Sequence, residues 1–196
     1  MWKYTTLIDE VSALKREDAF FYKYLLMLGY EENYDAWLSS RLESENPLSD
    51  TVLELSCCSS DMRKTISLLH NCCADQPVDE FAVCDRLRQF FKEAFYSNKM
   101  NKDEIISDMF RLTRIVYDCG DFDLYNIRSW QSMDNLHDLC CFAEEGLISR
   151  ESFDDAFFSY LDHGTPVEFG VLWQKNHQKK QSLFDRVKSY FKRGTD

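Results

Sequence analysis

Apolar residues recur along most of this chain at intervals of three and four, the period of helices that each bury one face. The plainest case runs from Trp130 to His163. Met133, Leu136, Cys140, Ala143 and Leu147 share one face of a first helix there, and Gln131, Asp134, Asp138 and Glu145 fall opposite. Gly146 predicts the stop, because a residue without Cβ enters the left-handed conformation cheaply. Ser149 predicts the cap of a second helix, in which Phe153, Ala156, Phe157, Tyr160 and Leu161 line up and Asp154, Asp155 and Asp162 turn to water. A hairpin cannot bury two such stripes alone, so further helices must pack on it.

The rest of the chain supplies them. A helix is expected from Thr6 through Leu28, with Leu7, Val11, Leu14, Phe21, Leu25 and Leu28 as its stripe and Gly29 as its end. Tyr34, Trp37, Leu38 and Leu42 predict a second, closed before Pro47. Leu48, Val52 and Leu55 align at helical spacing, and Ser60 predicts the cap of a helix carrying Met62, Ile66, Leu69 and Cys73 that gives way at Asp75-Gln76-Pro77. The stretch from Asp79 to Ser97 is strongly helical, with a wide row of Val83, Cys84, Leu87, Phe90, Phe91, Ala94 and Phe95. Asn101 caps the next, where Ile105, Met109, Leu112 and Val116 alternate with Asp108, Arg111 and Arg114. Cys119 to Ser129 breaks the pattern and reads as a loop. Past Gly164, Thr165-Pro166-Val167-Glu168 has the form of a capping box with Pro at the first helical position, which predicts a last helix beginning with Phe169, Leu172 and Trp173.

Composition supports this pattern. Only 6 Gly and 3 Pro serve 196 residues, too few for the frequent turns of a sandwich or barrel. The expected fold is all-α, a compact irregular helical bundle of seven to nine helices in one domain.

Charge divides the chain. The net charge is −11, but residues 175–196 hold seven basic and two acidic residues, a net of +5, which leaves −16 on residues 1–174. An acidic helical domain (1–174) followed by a basic amphipathic helix (175–196) is therefore expected. In the latter Leu183, Phe184, Val187 and Phe191 face away from Lys179, Arg186 and Lys192. Docking of that helix on its own acidic body is preferred over fraying or contact with a membrane. An acidic surface repels nucleic-acid backbones and matches a basic protein.

Candidate chemistry is sparse. The opening segment MWKYTTLIDE lacks a signal-peptide core and no stretch is apolar enough to span a bilayer, so a cytoplasmic protein with reduced thiols is expected. Six of the eight cysteines form the doublets Cys57-Cys58, Cys72-Cys73 and Cys140-Cys141, whose members do not readily bridge each other within a helix. His70 with Cys73, and His137 with Cys140 or Cys141, have helical spacings that could place metal ligands on one face, but no C-x-x-C pair accompanies them. Packing explains the doublets, and no metal or other cofactor is expected. Cys119 lies near Asp118, Asp121 and Asp123, acids that disfavour a thiolate and lack the spacing of a calcium loop. P-loop, G-x-G-x-x-G, G-x-S-x-G and H-E-x-x-H motifs do not occur.

Two segments, NYDAWLSSRLESENPLSDTVLELS (33–56) and LHDLCCFAEEGLISRESFDDAFFSYLDH (136–163), resemble parts of small acidic helical bacterial proteins, including immunity proteins encoded beside polymorphic or contact-dependent toxins. That resemblance implies a non-enzymatic protein that binds a toxin and blocks it, often through acidic residues matched to a basic partner. Charge and expected exposure nominate Asp118, Asp121, Asp123 and Tyr125, with Asp134, Asp138, Glu144 and Glu145 on the following helix. Two alternatives stand beside this reading: an enzyme with a carboxylate or cysteine site in the 119–129 loop, and a structural, self-associating subunit.

Overall fold

The computed structural model describes residues 14–122, 128–168 and 170, and the helices within them are eight, with no strand among the described residues. The all-α expectation is borne out. The expected helical start at Thr6, the Asp123 and Tyr125 positions, the apolar start of the last helix and the basic 175–196 segment lie outside the described residues. By their contacts the helices gather into two compact units, one ending at Val83 and one beginning at Cys84, so the division falls inside a helix.

The first unit holds α1 (Arg16–Leu28), α2 (Glu31–Ser44), α3 (Asp50–Cys58) and α4 (Met62–Asn71). Helix α1 starts at Arg16 rather than running on from Thr6: Lys15 is extended, and its N–H turns to the Asp18 carboxylate at 3.4 Å. Gly29 ends it at φ 96°, a conformation that costs a side chain dearly. Ser49 caps α3, accepting from the Val52 N–H. The cap of α4 is Asp61, not Ser60, because the Asp61 carboxylate reaches the Lys64 N–H at 3.2 Å. Leu26, Tyr34, Leu38, Val52, Leu55, Leu69 and Cys72 form the core of this unit, with Tyr22 stacked on Trp37 at its margin.

Helix α4 stops earlier than the apolar spacing predicts. Cys72 leaves the helix at φ −62°, ψ 130°, and Cys73 stands at φ 53°, so the chain turns through the second cysteine doublet instead of burying Cys73 on a helical stripe.

Helix α5 (Glu80–Tyr96) crosses into the second unit, which continues with α6 (Lys102–Cys119), α7 (Arg128–Glu144) and α8 (Arg150–His163). Asn101 and Glu104 cap α6 reciprocally, each side chain taking the other's main-chain N–H. Gly120 ends it at φ 64°. Helices α6 and α7 run antiparallel: Phe110 stacks on His137, and Arg114, one turn further along α6, reaches back to Asp134. The α7–α8 hairpin closes as the pattern requires, with Gly146 at φ 71° and Ser149 accepting from the Ser152 N–H.

Within that hairpin the buried stripe of α7 is rotated from the one the sequence suggests. Trp130, Met133, Leu136 and Leu139 are fully buried, whereas Cys140, Ala143 and Leu147 are half-buried. Residues 164–168 are not helical, contrary to the capping-box pattern. The Val167 N–H donates to Ser132 Oγ at 2.9 Å and its carbonyl accepts from Asn135 Nδ2 at 2.7 Å, so the chain is strapped along α7.

Candidate functional site

Each nominated acid has a distinct setting. Asp118 is exposed on the last turn of α6, directly after Tyr117, a residue 59% exposed. Asp121 follows the Gly120 turn and is half-buried, held near the helix end because the next residue, Phe122, is buried and stacks on Trp130 at 6.0 Å. Asp134 accepts from Arg114 at 3.3 Å and from the Thr113 hydroxyl at 3.4 Å, both on α6. Asp138 is exposed and lies 3.7 Å from His137 Nδ1. Glu144 and Glu145 are exposed at the far end of α7.

The acids therefore form a band rather than one cluster. Helix α7 has 17 residues, about 25 Å of length at the helical rise. Asp118 and Asp121 sit by its start, Asp138 part-way along, and Glu144 and Glu145 at its end. The antiparallel register adds Asp103 at the N-terminal end of α6. Burial first, then the charges of Glu144 and Asp103, push the Cys140 thiol up from its ordinary value. Two residues of this band were not nominated from the sequence. Asp103 is 41 positions from Glu144 and joins it only through helix pairing. Tyr117 gave a local signal, an aromatic on the polar side of the Ile105–Val116 stripe, and it is the exposed aromatic beside the acids among the described residues of α6.

Basic side chains interrupt the band at its middle. Arg114 lies over the Phe110 ring at 4.6 Å while pairing with Asp134, and Arg111 pairs with Asp108 at 2.7 Å. Arg150 adds a positive charge near Cys140, at the end of the band that holds Glu144 and Asp103.

The metal candidates are engaged elsewhere. His70 Nδ1 stands 3.2 Å from the Nζ of Lys23, a buried ammonium that also lies over the Phe20 and Tyr24 rings. Cys73 Sγ points to the Leu14 carbonyl at 3.2 Å, and His137 lies flat on Phe110 at 3.9 Å. Among the described residues no group of three or more His, Cys, Asp or Glu side chains is placed to hold a metal ion.

A cavity of about 340 Å³ opens at the α5–α6 corner, lined by Phe95, Tyr96, Asn98, Met100, Asn101 and Lys102. Three of its polar side chains already serve the fold: Asn101 caps α6, Tyr96 donates to Asp162 at 3.0 Å, and Lys102 pairs with Asp154 among the rings of Phe153, Phe157 and Phe158. It lies away from the 119–129 loop that the sequence nominated for an enzyme, of which residues 119–122 and 128–129 are described. Cys119 belongs to the last turn of α6 and Ser129 to the first turn of α7, so the helices extend into both ends of that loop.

No helix of the described residues is long and apolar enough to cross a membrane. No protein-family model, curated protein or solved structure matches the chain.

Proposed function

We propose that this chain is a non-enzymatic binding protein whose acidic α6–α7 band neutralises a basic protein partner, in the manner of an immunity protein or another inhibitor. The observation that carries the reading is Tyr117, a large aromatic left in solvent next to Asp118. Interface energy concentrates in aromatic anchors surrounded by groups that exclude water, and charges around them steer encounter. The net −16 on residues 1–174 extends that steering field beyond the band itself. On this reading Asp118, Asp138, Glu144 and Glu145 set the association rate, Tyr117 sets the lifetime, and Asp134 serves the α6–α7 packing. The resemblance of the 33–56 and 136–163 segments to bacterial immunity proteins makes a co-encoded toxin in the bacterial cytoplasm the partner of choice.

The test is capture from the native host with the full chain and with an Asp118→Lys/Asp138→Lys/Glu144→Lys variant, followed by association kinetics on the captured protein. A basic partner lost by the variant is expected, with an association rate that falls as salt rises. Equal capture by the variant, or an association rate indifferent to salt, overturns the reading.

A further inference from the structure

The three cysteine doublets are alike in sequence and unlike in structure. Cys57-Cys58 lies in α3 and Cys140-Cys141 in α7, where neighbouring side chains diverge around the helix axis. Cys72-Cys73 alone follows the end of a helix. Its backbone, φ −62° at Cys72 and φ 53° at Cys73, is that of a tight turn, closed further on by the Gln76 N–H donating to the Cys73 carbonyl at 2.9 Å. The turn swings both side chains to the same side, and the sulfurs stand 3.6 Å apart.

That separation suits one kind of chemistry better than another. A disulfide would need the sulfurs to close to about 2.05 Å while their Cα atoms stay at the adjacent-residue spacing of about 3.8 Å, short of the usual range of about 4.4–6.8 Å. Closing it would strain the turn. A single thiophilic atom bridging the two sulfurs asks for less. With bonds to sulfur of about 2.3 Å and bond angles of about 90–110°, it needs its sulfurs about 3.3–3.8 Å apart, and the pair already meets this spacing.

We propose that Cys72 and Cys73 form a vicinal dithiol site that captures a trivalent arsenical across its two sulfurs. Cys73, half-buried, is the point of entry, giving up its hydrogen bond to the Leu14 carbonyl at 3.2 Å as its S–H bond breaks, and buried Cys72 completes the ring. With an organic arsenoxide the step is a condensation: two S–H bonds break, two As–S bonds form, and the arsenic-bound oxygen leaves as water carrying both thiol protons. Arsenic remains trivalent and no oxidant is required. Neutral thiols become a neutral adduct, which suits the setting of Cys72, where burial first and the hydrogen bond to Cys73 second push the thiol up to about 12. A divalent metal ion, by contrast, would require both thiolates there. The second As–S bond forms within the molecule, so losing either sulfur removes the chelate advantage.

The test uses the full reduced chain and one equivalent of phenylarsine oxide, read by intact mass and by iodoacetamide mapping of the cysteines that remain free. Expected is one phenylarsenic per chain that survives excess monothiol and is released by 2,3-dimercaptopropanol. Cys72 and Cys73 should be protected while Cys57, Cys119 and Cys141 alkylate. Retention in Cys73→Ser should fall by about a hundredfold, the scale of a lost second attachment, and Cys57→Ser and Cys141→Ser should retain the probe as the parent does. An adduct stripped by monothiol, protection at a helical doublet instead, or undiminished retention by Cys73→Ser overturns the site. The mapping on the unaltered chain decides the matter even if a variant folds poorly.

Discussion

The guanidinium of Arg88, buried in α5, donates through Nη1 to the main-chain carbonyl of Leu161 in the last turn of α8. The Asp85 carboxylate takes Nε and Nη2 of the same group, so one planar fork satisfies a carboxylate and one of the carbonyls that a helix end leaves without an internal donor. Replacing Arg88 by Ala should destabilise the protein by about 2–4 kcal/mol, since it strands a buried acceptor and opens a void. Arg88→Lys should recover little of that loss, because an ammonium cannot hold both partners in the fork geometry. Urea denaturation of the two variants checks it: a Lys variant as stable as the parent would mean that charge alone matters.

Two glycines in αL conformation separate backbone strain from crowding. At Gly146, φ 71°, an added Cβ meets nothing within 4 Å. Gly146→Val should cost about 1–2 kcal/mol from backbone strain, Gly146→Ala somewhat less, and Gly146→Asn should be nearly neutral. At Gly164, φ 65°, a Cβ would stand 3.3 Å from Arg88 Nε. Gly164→Asn should therefore be clearly worse than Gly146→Asn, and thermal melting of the pair measures the difference.

Thr65 tests a buried hydroxyl in the first unit. It donates towards the Cys58 carbonyl at 2.9 Å and the Asp61 carbonyl at 3.0 Å, tying the end of α3 to the start of α4. Thr65→Val keeps the shape and removes the donor, and should cost about 1–2 kcal/mol. Thr65→Ser keeps the donor and should lose less. Chemical denaturation that ranks Ser below Val would refute the assignment.

Alkaline pH should weaken the second unit through Cys84 and Tyr160. Burial pushes the Cys84 thiol up to about 12 from 9.0, the Tyr160 hydrogen bond opposing, and burial raises the phenol of Tyr160 well above its ordinary value. Both groups are acids held neutral by the fold. Below the unfolded values both states keep these protons and the stability is complete; above about pH 9 the unfolded Cys84 gives up its proton while the folded one keeps it. Stability then falls by about 1.4 kcal/mol per pH unit for each group past its unfolded value. Cys84→Ala should flatten the decline between about pH 9 and 10, as read from urea midpoints.

Much of the helical outline was legible because its causes are local. Asn101 and Glu104 cap α6 three residues apart, Ser149 caps α8, and Gly29, Gly120 and Gly146 stand where the chain must reverse its φ. The apolar rows of α5, α6 and α8 likewise emerged from spacing alone. Where two neighbours competed, local pattern could not choose. Ser60 and Asp61 are both good caps, and the chain used the carboxylate that reaches the Lys64 N–H.

The sequence by itself determined that this chain is helical, acidic over residues 1–174 and basic at its end, since periodicity, capping and charge are properties of a few adjacent positions or of a count. Tertiary structure decided which faces those helices bury and which charges remain free. Leu139 rather than Ala143 faces inward because α6 and α8 set the rotation of α7. Asp154 and Asp162, expected in water, meet Lys102 and Lys92, and Asp134 meets Arg114. Cys73 left its helix, and only there did two adjacent thiols come to face one another. These outcomes rest on partners 20 to 70 positions away in the chain. Local spacing carries no information about such partners until the helices have packed, and packing is what makes a buried charge or an unpaired carbonyl costly enough to select them.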